Sequence, residues 1–218
     1  RLPWERRLEY ANALNDLWVK FMNIRKQIAQ NAGMANYRDY MWKKLKRFDY
    51  TQDDALAFFD AVEQVISRAA ERIRERRREK LGYETLRPWD TSVDVLGRDP
   101  LKPYNNVNTL VDKSVDIFTQ VDPELGDYMR TMRDEGYLDL DNRKGKAPGG
   151  YCTYFPLSQR PFIFMNSVGL HEDIQTMLHE AGHAFHAFSF VDLPYYHQLN
   201  VPMEFSEVAS MAMELLGS

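Results

Sequence analysis

Apolar residues recur every three or four positions along most of the chain, which is the spacing of an amphipathic α-helix. This spacing predicts a long helix over residues 4–31, a shorter helix over 37–47, and a second long helix that is capped by Thr51 and ends near Gly82. The predicted core faces of the two long helices are mostly aliphatic and aromatic: Leu8, Ala11, Leu14, Leu17, Phe21, Ile24 and Ile28 in the first, and Leu56, Phe59, Val62, Val65, Ile66, Ala69 and Ile73 in the second.

The second half of the chain mixes helical and extended patterns. Prolines and glycines in residues 83–107 predict a loop. Helical spacing then returns in four segments: 108–120, 123–135, 171–189 and 203–216. Residues 137–150 are polar and Gly-rich, and the two short apolar runs that follow, 151–155 and 161–165, predict an antiparallel pair of strands. The sequence therefore predicts a mainly α fold with a small antiparallel β-sheet before the helix at 171–189.

The composition is that of an ordinary globular protein, with 218 residues, 44% of them hydrophobic and 28% charged. The net charge of −4 gives no overall attraction to nucleic acid or anionic membranes, and the basic run 72–80 contains regularly spaced glutamates typical of a solvated helix. No apolar run reaches the roughly 18–20 residues that span a bilayer. We expect no nucleic-acid or membrane partner. Cys152 is the only cysteine, which excludes an intrachain disulfide and favours a cytoplasmic location.

All five histidines lie between positions 171 and 197, and two of them begin and end the string His179-Glu180-Ala181-Gly182-His183. Residues four apart on a helix face the same way, so both imidazoles can reach one cation. Glu180 is rotated by about 100° from His179, which places its carboxylate beside the metal as a general base. This donor set suits one Zn²⁺ ion and a metal-activated water. The alternative is a pair of histidines that are hydrogen-bonded inside a buried helix.

A hydrolytic zinc site needs a third protein ligand and an open position. Glu207 follows His183 by 24 residues, a spacing that lets a second helix fold back beside the first. Ser210 and Glu214 share the helix face of Glu207 and are candidates to hydrogen-bond the ligands from behind. His186 is interpreted as another supporting or core residue, because the spacing of a three-histidine site is not present.

The segment 161–166 begins with a proline, which favours an edge strand that an extended peptide can join through main-chain hydrogen bonds. The substrate-binding candidates are Gly150, Tyr151, Phe164, Met165, Asn166 and His197. Arg143, Lys144 and Lys146 form a loop patch that either meets a substrate carboxylate or is simply solvated. Cys152 is interpreted as a packed strand residue rather than a nucleophile.

Two strings, Met177–His186 and Met203–Ser210, resemble the metal motifs of the thimet oligopeptidase and oligoendopeptidase F family. The stretches Arg143–Phe155 and Asn23–Tyr40 are similar to the oligoendopeptidase F branch. The resemblance implies a zinc endopeptidase of short peptides with a helical zincin-like (gluzincin) catalytic domain around a deep channel. On the matching positions it implies that His179, His183 and Glu207 are zinc ligands and that Glu180 is the general base.

The family also uses tyrosine and histidine groups on a loop well beyond the third ligand to stabilise the oxyanion, and this chain ends before such a loop. The chain has no initiator methionine and stops within a helical pattern. We therefore expect residues 1–218 to be an incomplete catalytic domain, with a helical part at 1–136 and the sheet and zinc-ligand helices at 137–218. The remainder of the catalytic domain is the expected partner.

The sequence thus predicts a zinc-dependent endopeptidase that hydrolyses short oligopeptides with a glutamate general base. One alternative is a zinc-containing peptide-binding fragment that does not cleave. Another is a zinc carboxypeptidase, which needs a cation for the free substrate carboxylate. A di-iron bundle is excluded because its Glu-x-x-His pattern occurs only once, at Glu180 and His183. The ligand types alone do not distinguish zinc from manganese or cobalt.

Overall fold

The computed structural model describes residues 1–218 and divides into two compact units, Arg1–Asp99 and Pro100–Ser218. The mainly α fold predicted from the sequence is confirmed, with nine α-helices and one small sheet. The sequence predicted a helical part at 1–136 and a second part, with the sheet and the zinc-ligand helices, at 137–218. That division follows the kinds of secondary structure and not the two compact units, and it stays a prediction.

All regular elements of the first unit are helices, and local sequence signals set the ends of several of them. Its α-helices are α1 (Leu2–Glu9), α2 (Ala11–Asn31), α3 (Tyr37–Lys44), α4 (Gln52–Val62) and α5 (Arg68–Leu81). Thr51 caps α4 through a reciprocal capping box with Asp54, and Gly82 ends α5 in the left-handed conformation, as predicted. A short 3₁₀ helix, Pro88–Ser92, lies within the predicted loop.

Two predictions for this unit need correction. The predicted helix 4–31 is interrupted at Tyr10, and the second long helix contains a π-helical turn, Glu63–Ser67, between α4 and α5. The predicted core faces are mostly exposed; Leu14 and Phe59, for example, are 55% and 61% exposed. Apolar periodicity identifies a helix but does not show that another element covers its apolar face.

The second unit contains four helices and the sheet. Its elements in chain order are α6 (Val107–Val121), α7 (Pro123–Asp134), β1 (Leu138–Asp141), β2 (Tyr151–Phe155), β3 (Arg160–Ser167), α8 (His171–Phe190) and α9 (Met203–Leu216), with a 3₁₀ turn, Tyr196–Leu199, between the last two. All four helices agree with the predicted segments to within one or two residues.

The sheet has the strand order β1-β3-β2 and is mixed. The predicted antiparallel pairing of β2 with β3 is confirmed, with Tyr151 opposite Phe164 and Phe155 opposite Arg160. Strand β1 was not predicted, and it pairs parallel to β3. The segment 161–166 is therefore in the central strand, and its prediction as an edge strand is wrong. Pro161 is tolerated because it lies at the start of the strand.

The core of this unit surrounds α8, which packs against α9 and against one face of the sheet. Its fully or nearly fully buried hydrophobic side chains come from α6, α7, β1, β3 and α8: Leu110, Phe118, Met129, Met132, Leu140, Ile163, Met165, Met177, Leu178, Ala181 and Ala184. The rings of Phe118 and Phe185 meet edge to face with centroids 4.7 Å apart. This packing fixes the position of α8 along most of its length.

The N-terminus of α8 is held by a buried carboxylate. Asp173 accepts the backbone N–H groups of Val168, Gly169 and Leu170 at 2.8–2.9 Å, and it also accepts the hydroxyl of Tyr104. These donors include N–H groups that an isolated helix start would leave unpaired. The loop before α6 and the start of α8 are therefore joined at one point.

No helix of the chain combines the length and the hydropathy that a membrane span requires.

Candidate metal centre

The candidate metal centre lies where α8 crosses α9. On α8, the rings of His179 and His183 have centroids 4.9 Å apart and stand nearly perpendicular to each other. On α9, the Oε2 atom of Glu207 lies 3.3 Å from Nε2 of His179 and 3.6 Å from Nε2 of His183. The three donor atoms lie within 4.8 Å of one another. The structure therefore brings together the three residues predicted as ligands.

The two distances from Glu207 to the histidines fit a small tetrahedral cation. Ligand atoms about 2.0–2.1 Å from a tetrahedral zinc ion lie about 3.3–3.4 Å from one another. The two distances from Glu207 to the histidines, 3.3 and 3.6 Å, are close to that edge length. Burial lowers the pKa of His183, which favours the neutral imidazole that a metal needs.

Both histidines use their second ring nitrogen for a contact with α9. Nδ1 of His179 lies 2.6 Å from Oε1 of Glu214, and Nδ1 of His183 lies 3.1 Å from Oγ of Ser206. When Nδ1 carries the proton and donates a hydrogen bond, Nε2 keeps a free lone pair that can bind a metal. The contact with Glu214 is the one that the sequence predicted as possible, whereas Ser206 was not predicted.

Glu207 is also held from within α9. The hydroxyl of Ser210, which is completely buried, lies 2.9 Å from Oε2 and 3.0 Å from the backbone oxygen of Glu207. The predicted contact of Ser210 with the third ligand is therefore present in the structure.

Gly182 allows the two helices to approach this closely. A Cβ atom at this position would lie 2.5 Å from Cα of Ser210 and 2.6 Å from the backbone oxygen of Ala209. Real Cβ atoms do not approach backbone atoms so closely, because dispersion contacts are optimal at about 3.5–4.0 Å. Only glycine fits at this crossing point. The sequence analysis assigned no role to Gly182 and so missed this one.

Glu180 is buried, with 7% of its surface exposed, and its carboxylate lies near the metal centre rather than among the three donors. Burial raises the pKa of this carboxyl group. The charge of His179 and a hydrogen bond from the backbone N–H of Cys152 act in the opposite direction. A carboxylate with a raised pKa is a better proton acceptor than an exposed glutamate.

A cleft of about 330 Å³ opens beside these groups. It is lined by Gly150, Gln175, Thr176, His179, Glu180 and Glu214. Gly150 was predicted to contact substrate, and it lies here, with its Cα region close to the methyl group of Thr176. Gln175 and Thr176 were missed, although Gln175 precedes His179 by one helical turn and so shares its face of α8.

The other substrate-binding candidates lie elsewhere. Met165 is 2% exposed and belongs to the core, so its prediction as a substrate contact is wrong. Phe164 and Asn166 point to the opposite face of the sheet, because side chains alternate along a strand. The amide of Asn166 donates to the backbone oxygens of Ala147 and Gly149 at 2.9 Å and is used to hold that loop.

Three further candidates do not join the three donor atoms. Tyr151 is half-exposed at the start of β2 and stacks on Phe164, with ring centroids 5.0 Å apart. His197 is exposed in the 3₁₀ turn between α8 and α9. His186 packs edge to face against Phe190 at 5.3 Å, and burial lowers its pKa. His186 is thus a partly buried side chain on α8, one turn beyond His183.

Two of the three cations of the loop patch, Arg143 and Lys146, are engaged within the protein. Arg143 pairs with the carboxylate of Asp139, with contacts of 2.6 and 2.8 Å. The amine of Lys146 is buried and donates to the backbone oxygens of Asp139, Asp141 and Met165 at 2.5–2.9 Å. It therefore ties the loop to β1 and β3 rather than meeting a substrate.

Cys152 is packed, in agreement with its interpretation from the sequence. Burial, with a smaller contribution from the charge of Glu180, raises the pKa of the Cys152 thiol to about 12. A thiol with so high a pKa is not a nucleophile at neutral pH.

Residues 3–217 of this chain match the sequence model of peptidase family M3. The chain belongs to peptidase family M3. This is a metallopeptidase family, in agreement with the resemblance seen in the sequence and with a candidate metal centre of two histidines and a glutamate.

Two relatives show how the similarity is distributed. The chain is 27% identical over 107 residues to the chromosomal oligoendopeptidase F of Lactococcus lactis subsp. cremoris, a match that covers 48% of this chain and 17% of that protein. It is similar to the solved structure of PZ peptidase A with an inhibitor, with a TM-score of 0.86 and 32% identity over 95% of this chain and 37% of that one. The chain thus spans well under half the length of either relative.

Proposed function

We propose that the protein acts as a zinc-dependent endopeptidase on short oligopeptides. In this proposal His179, His183 and Glu207 hold one zinc ion, and Glu180 is the general base. The observation that carries the proposal is the convergence of three donor atoms beside the buried carboxylate of Glu180. The Nε2 atoms of His179 and His183 lie 3.3 and 3.6 Å from Oε2 of Glu207. Membership of a metallopeptidase family supports it.

Zinc is favoured by the chemistry of the donors. Two imidazole nitrogens and one carboxylate oxygen, with a fourth position for water or substrate, are a ligand set of hydrolytic zinc sites. When bound there, zinc polarises a substrate carbonyl and lowers the pKa of a water molecule.

Glu180 supplies the proton transfer. Its carboxylate accepts a proton from the attacking water and later delivers that proton to the amine nitrogen of the leaving peptide. Burial prepares the side chain for both steps, because a raised pKa brings the acid and base forms closer in free energy near neutral pH.

Strand β2 supports the binding of an extended peptide. It is hydrogen-bonded to β3 on one side only, and Gly150, immediately before it, lines the cleft. An exposed strand edge can pair with a peptide main chain, and such pairing is largely independent of side-chain identity. We therefore expect broad sequence specificity, with β2 replacing β3 as the edge that was predicted from the sequence.

The residues that line the cleft favour an endopeptidase over a carboxypeptidase. They include two glutamates but no lysine or arginine. A carboxypeptidase needs a cation to hold the free carboxylate of its substrate, and two of the three loop-patch cations, Arg143 and Lys146, are already engaged with Asp139. The cytoplasmic location and the remainder of the catalytic domain as a partner stay predictions.

The test combines metal analysis with peptide cleavage. We expect one zinc ion per chain, retained in Glu180→Gln and lost in Glu207→Ala, and we expect peptides with blocked ends to be cut at internal bonds by the wild type but not by Glu180→Gln. Glu172→Gln, a change on the exposed first turn of α8, is the matched control. Equal cleavage by Glu180→Gln would contradict the general base. Zinc and peptide binding without cleavage in the wild type would instead indicate a peptide-binding module.

A further inference from the structure

Three side chains on α9 follow one another at four-residue intervals: Ser206, Ser210 and Glu214. Residues four apart lie above one another on a helix, so these three form one stripe along α9, which we call the orienting stripe. Each member contacts a different candidate ligand. Ser206 contacts His183, Ser210 contacts Glu207, and Glu214 contacts His179.

We propose that the orienting stripe positions all three ligands before the metal binds, and that Ser206 is a positioning residue equal in kind to Glu214. This inference rests on the proposed zinc site. It goes beyond that proposal because it assigns a separate hydrogen-bonding partner on a single helix to each ligand.

The two histidines need such partners because an imidazole ring can rotate about its χ2 bond and exists in two neutral tautomers. A hydrogen bond from Nδ1 fixes both properties and directs the lone pair of Nε2 toward the metal. The distances are 2.6 Å for His179 to Glu214 and 3.1 Å for His183 to Ser206. The shorter contact is to a carboxylate, so we expect His179 to be held more strongly than His183.

Ser210 acts on the carboxylate ligand in a different way. Its hydroxyl bridges the side chain and the backbone oxygen of Glu207, which lies one turn earlier on the same helix. The bridge holds Oε2, the same oxygen that faces both histidine Nε2 atoms. All three donors are therefore held in position by groups on α9.

A purely structural role does not account for this arrangement. Ser206 is only half-buried, so replacing its hydroxyl leaves no sealed cavity. Ser114 on α6 serves as the comparison. Its hydroxyl is buried and donates a hydrogen bond to the backbone oxygen of Leu110 in the same helix, 2.8 Å away. Substitution of Ser114 tests the loss of a helix-buried hydroxyl without touching the metal centre.

The experiment measures zinc affinity by competition with a chelator, and the d–d absorption spectrum of the cobalt-substituted protein. The variants are Ser206→Ala, Ser206→Thr, Ser210→Ala, Glu214→Gln, Glu214→Ala and, as control, Ser114→Ala. Loss of a partner behind a metal ligand weakens affinity by about 10- to 100-fold, and we expect this for Ser206→Ala and Ser210→Ala. Glu214→Gln keeps an acceptor but loses the charge, so its loss should be smaller than that of Glu214→Ala. Ser206→Thr, which keeps the hydroxyl, should restore both affinity and spectrum.

The outcomes separate this inference from the proposed function. If Ser206→Ala and Ser114→Ala have the same zinc affinity and the same cobalt spectrum, the positioning role is overturned. If His179→Ala and Glu207→Ala also leave metal binding unchanged, the metal site itself fails. Loss of zinc in the ligand variants together with unaltered orienting-stripe variants contradicts only the present inference.

Discussion

Replacing Gly182 by alanine is the sharpest single perturbation of this site. The added Cβ would lie 2.5 Å from Cα of Ser210 and 2.6 Å from the backbone oxygen of Ala209. Both contacts are with backbone atoms, so no side-chain rotation can relieve them. Since ordinary contact distances are about 3.5–4.0 Å, α9 must move away from α8 by about 1 Å.

That movement affects stability and metal binding to different extents. Overpacking of this kind costs about 1–3 kcal/mol in the free energy of unfolding. In the wild type, Oε2 of Glu207 lies 3.3 and 3.6 Å from the Nε2 atoms of the two histidines. A shift of about 1 Å lengthens these distances beyond the spacing that one zinc ion can bridge. We expect zinc affinity to fall by more than about 100-fold, because loss of a supporting partner alone costs up to that much.

The assay pairs zinc affinity with urea unfolding of the metal-free protein. Gly126→Ala is the matched control, because a Cβ there would meet Oγ1 of Thr119 at 2.1 Å and its Cα at 3.0 Å, between α6 and α7. The control should lose stability without losing zinc affinity. If Gly182→Ala binds zinc within about twofold of the wild type while the protein remains folded, the argument from helix approach is refuted.

Three other predictions concern groups outside the metal centre. Arg143 lowers the pKa of Asp139 from 3.8 to about 2, so this pair stabilises the fold above about pH 4 and loses its effect as the pH falls toward about 2; Asp139→Asn should remove that part of the pH dependence of the melting temperature. The buried thiol of Cys152 should react with a thiol reagent at least about 100-fold more slowly than in the unfolded protein, and equal rates would contradict its burial. Tyr104→Phe removes a donor to the carboxylate of Asp173 and should lower the free energy of unfolding in urea by about 1–3 kcal/mol; no change would show that the backbone donors suffice.

The helices were predictable because their signals are local. Local residues define the ends of α4 and α5 without reference to the rest of the chain. Thr51 and its capping-box partner Asp54 begin α4, and Gly82 ends α5. Strand β1 was not predictable in this way. Its four residues alternate leucine and aspartate in a polar segment, and only the pairing with β3, more than twenty residues later, makes them a strand.

The three proposed ligands were predictable for a similar reason, since His179 and His183 are one turn apart and Glu207 lies in a second recognisable motif. Ser206 was missed because its contact depends on how closely α8 and α9 cross, which Gly182 decides. Phe164, Met165 and Asn166 were predicted together as substrate contacts without regard to the alternation of side chains along a strand. Consecutive residues of a strand point to opposite faces, so they cannot all face one substrate.

The hydroxyl of Tyr104 and the carboxylate of Asp173 are separated by 69 residues of chain, yet they meet at the first turn of α8. Closing so long a loop costs conformational entropy before any contact compensates for it, so we expect this junction to form late in folding. The ligand-bearing turn of α8 is thus secured only after the helices and strands between the two residues have assembled. Acquisition of metal during refolding should consequently lag behind the formation of helical circular dichroism.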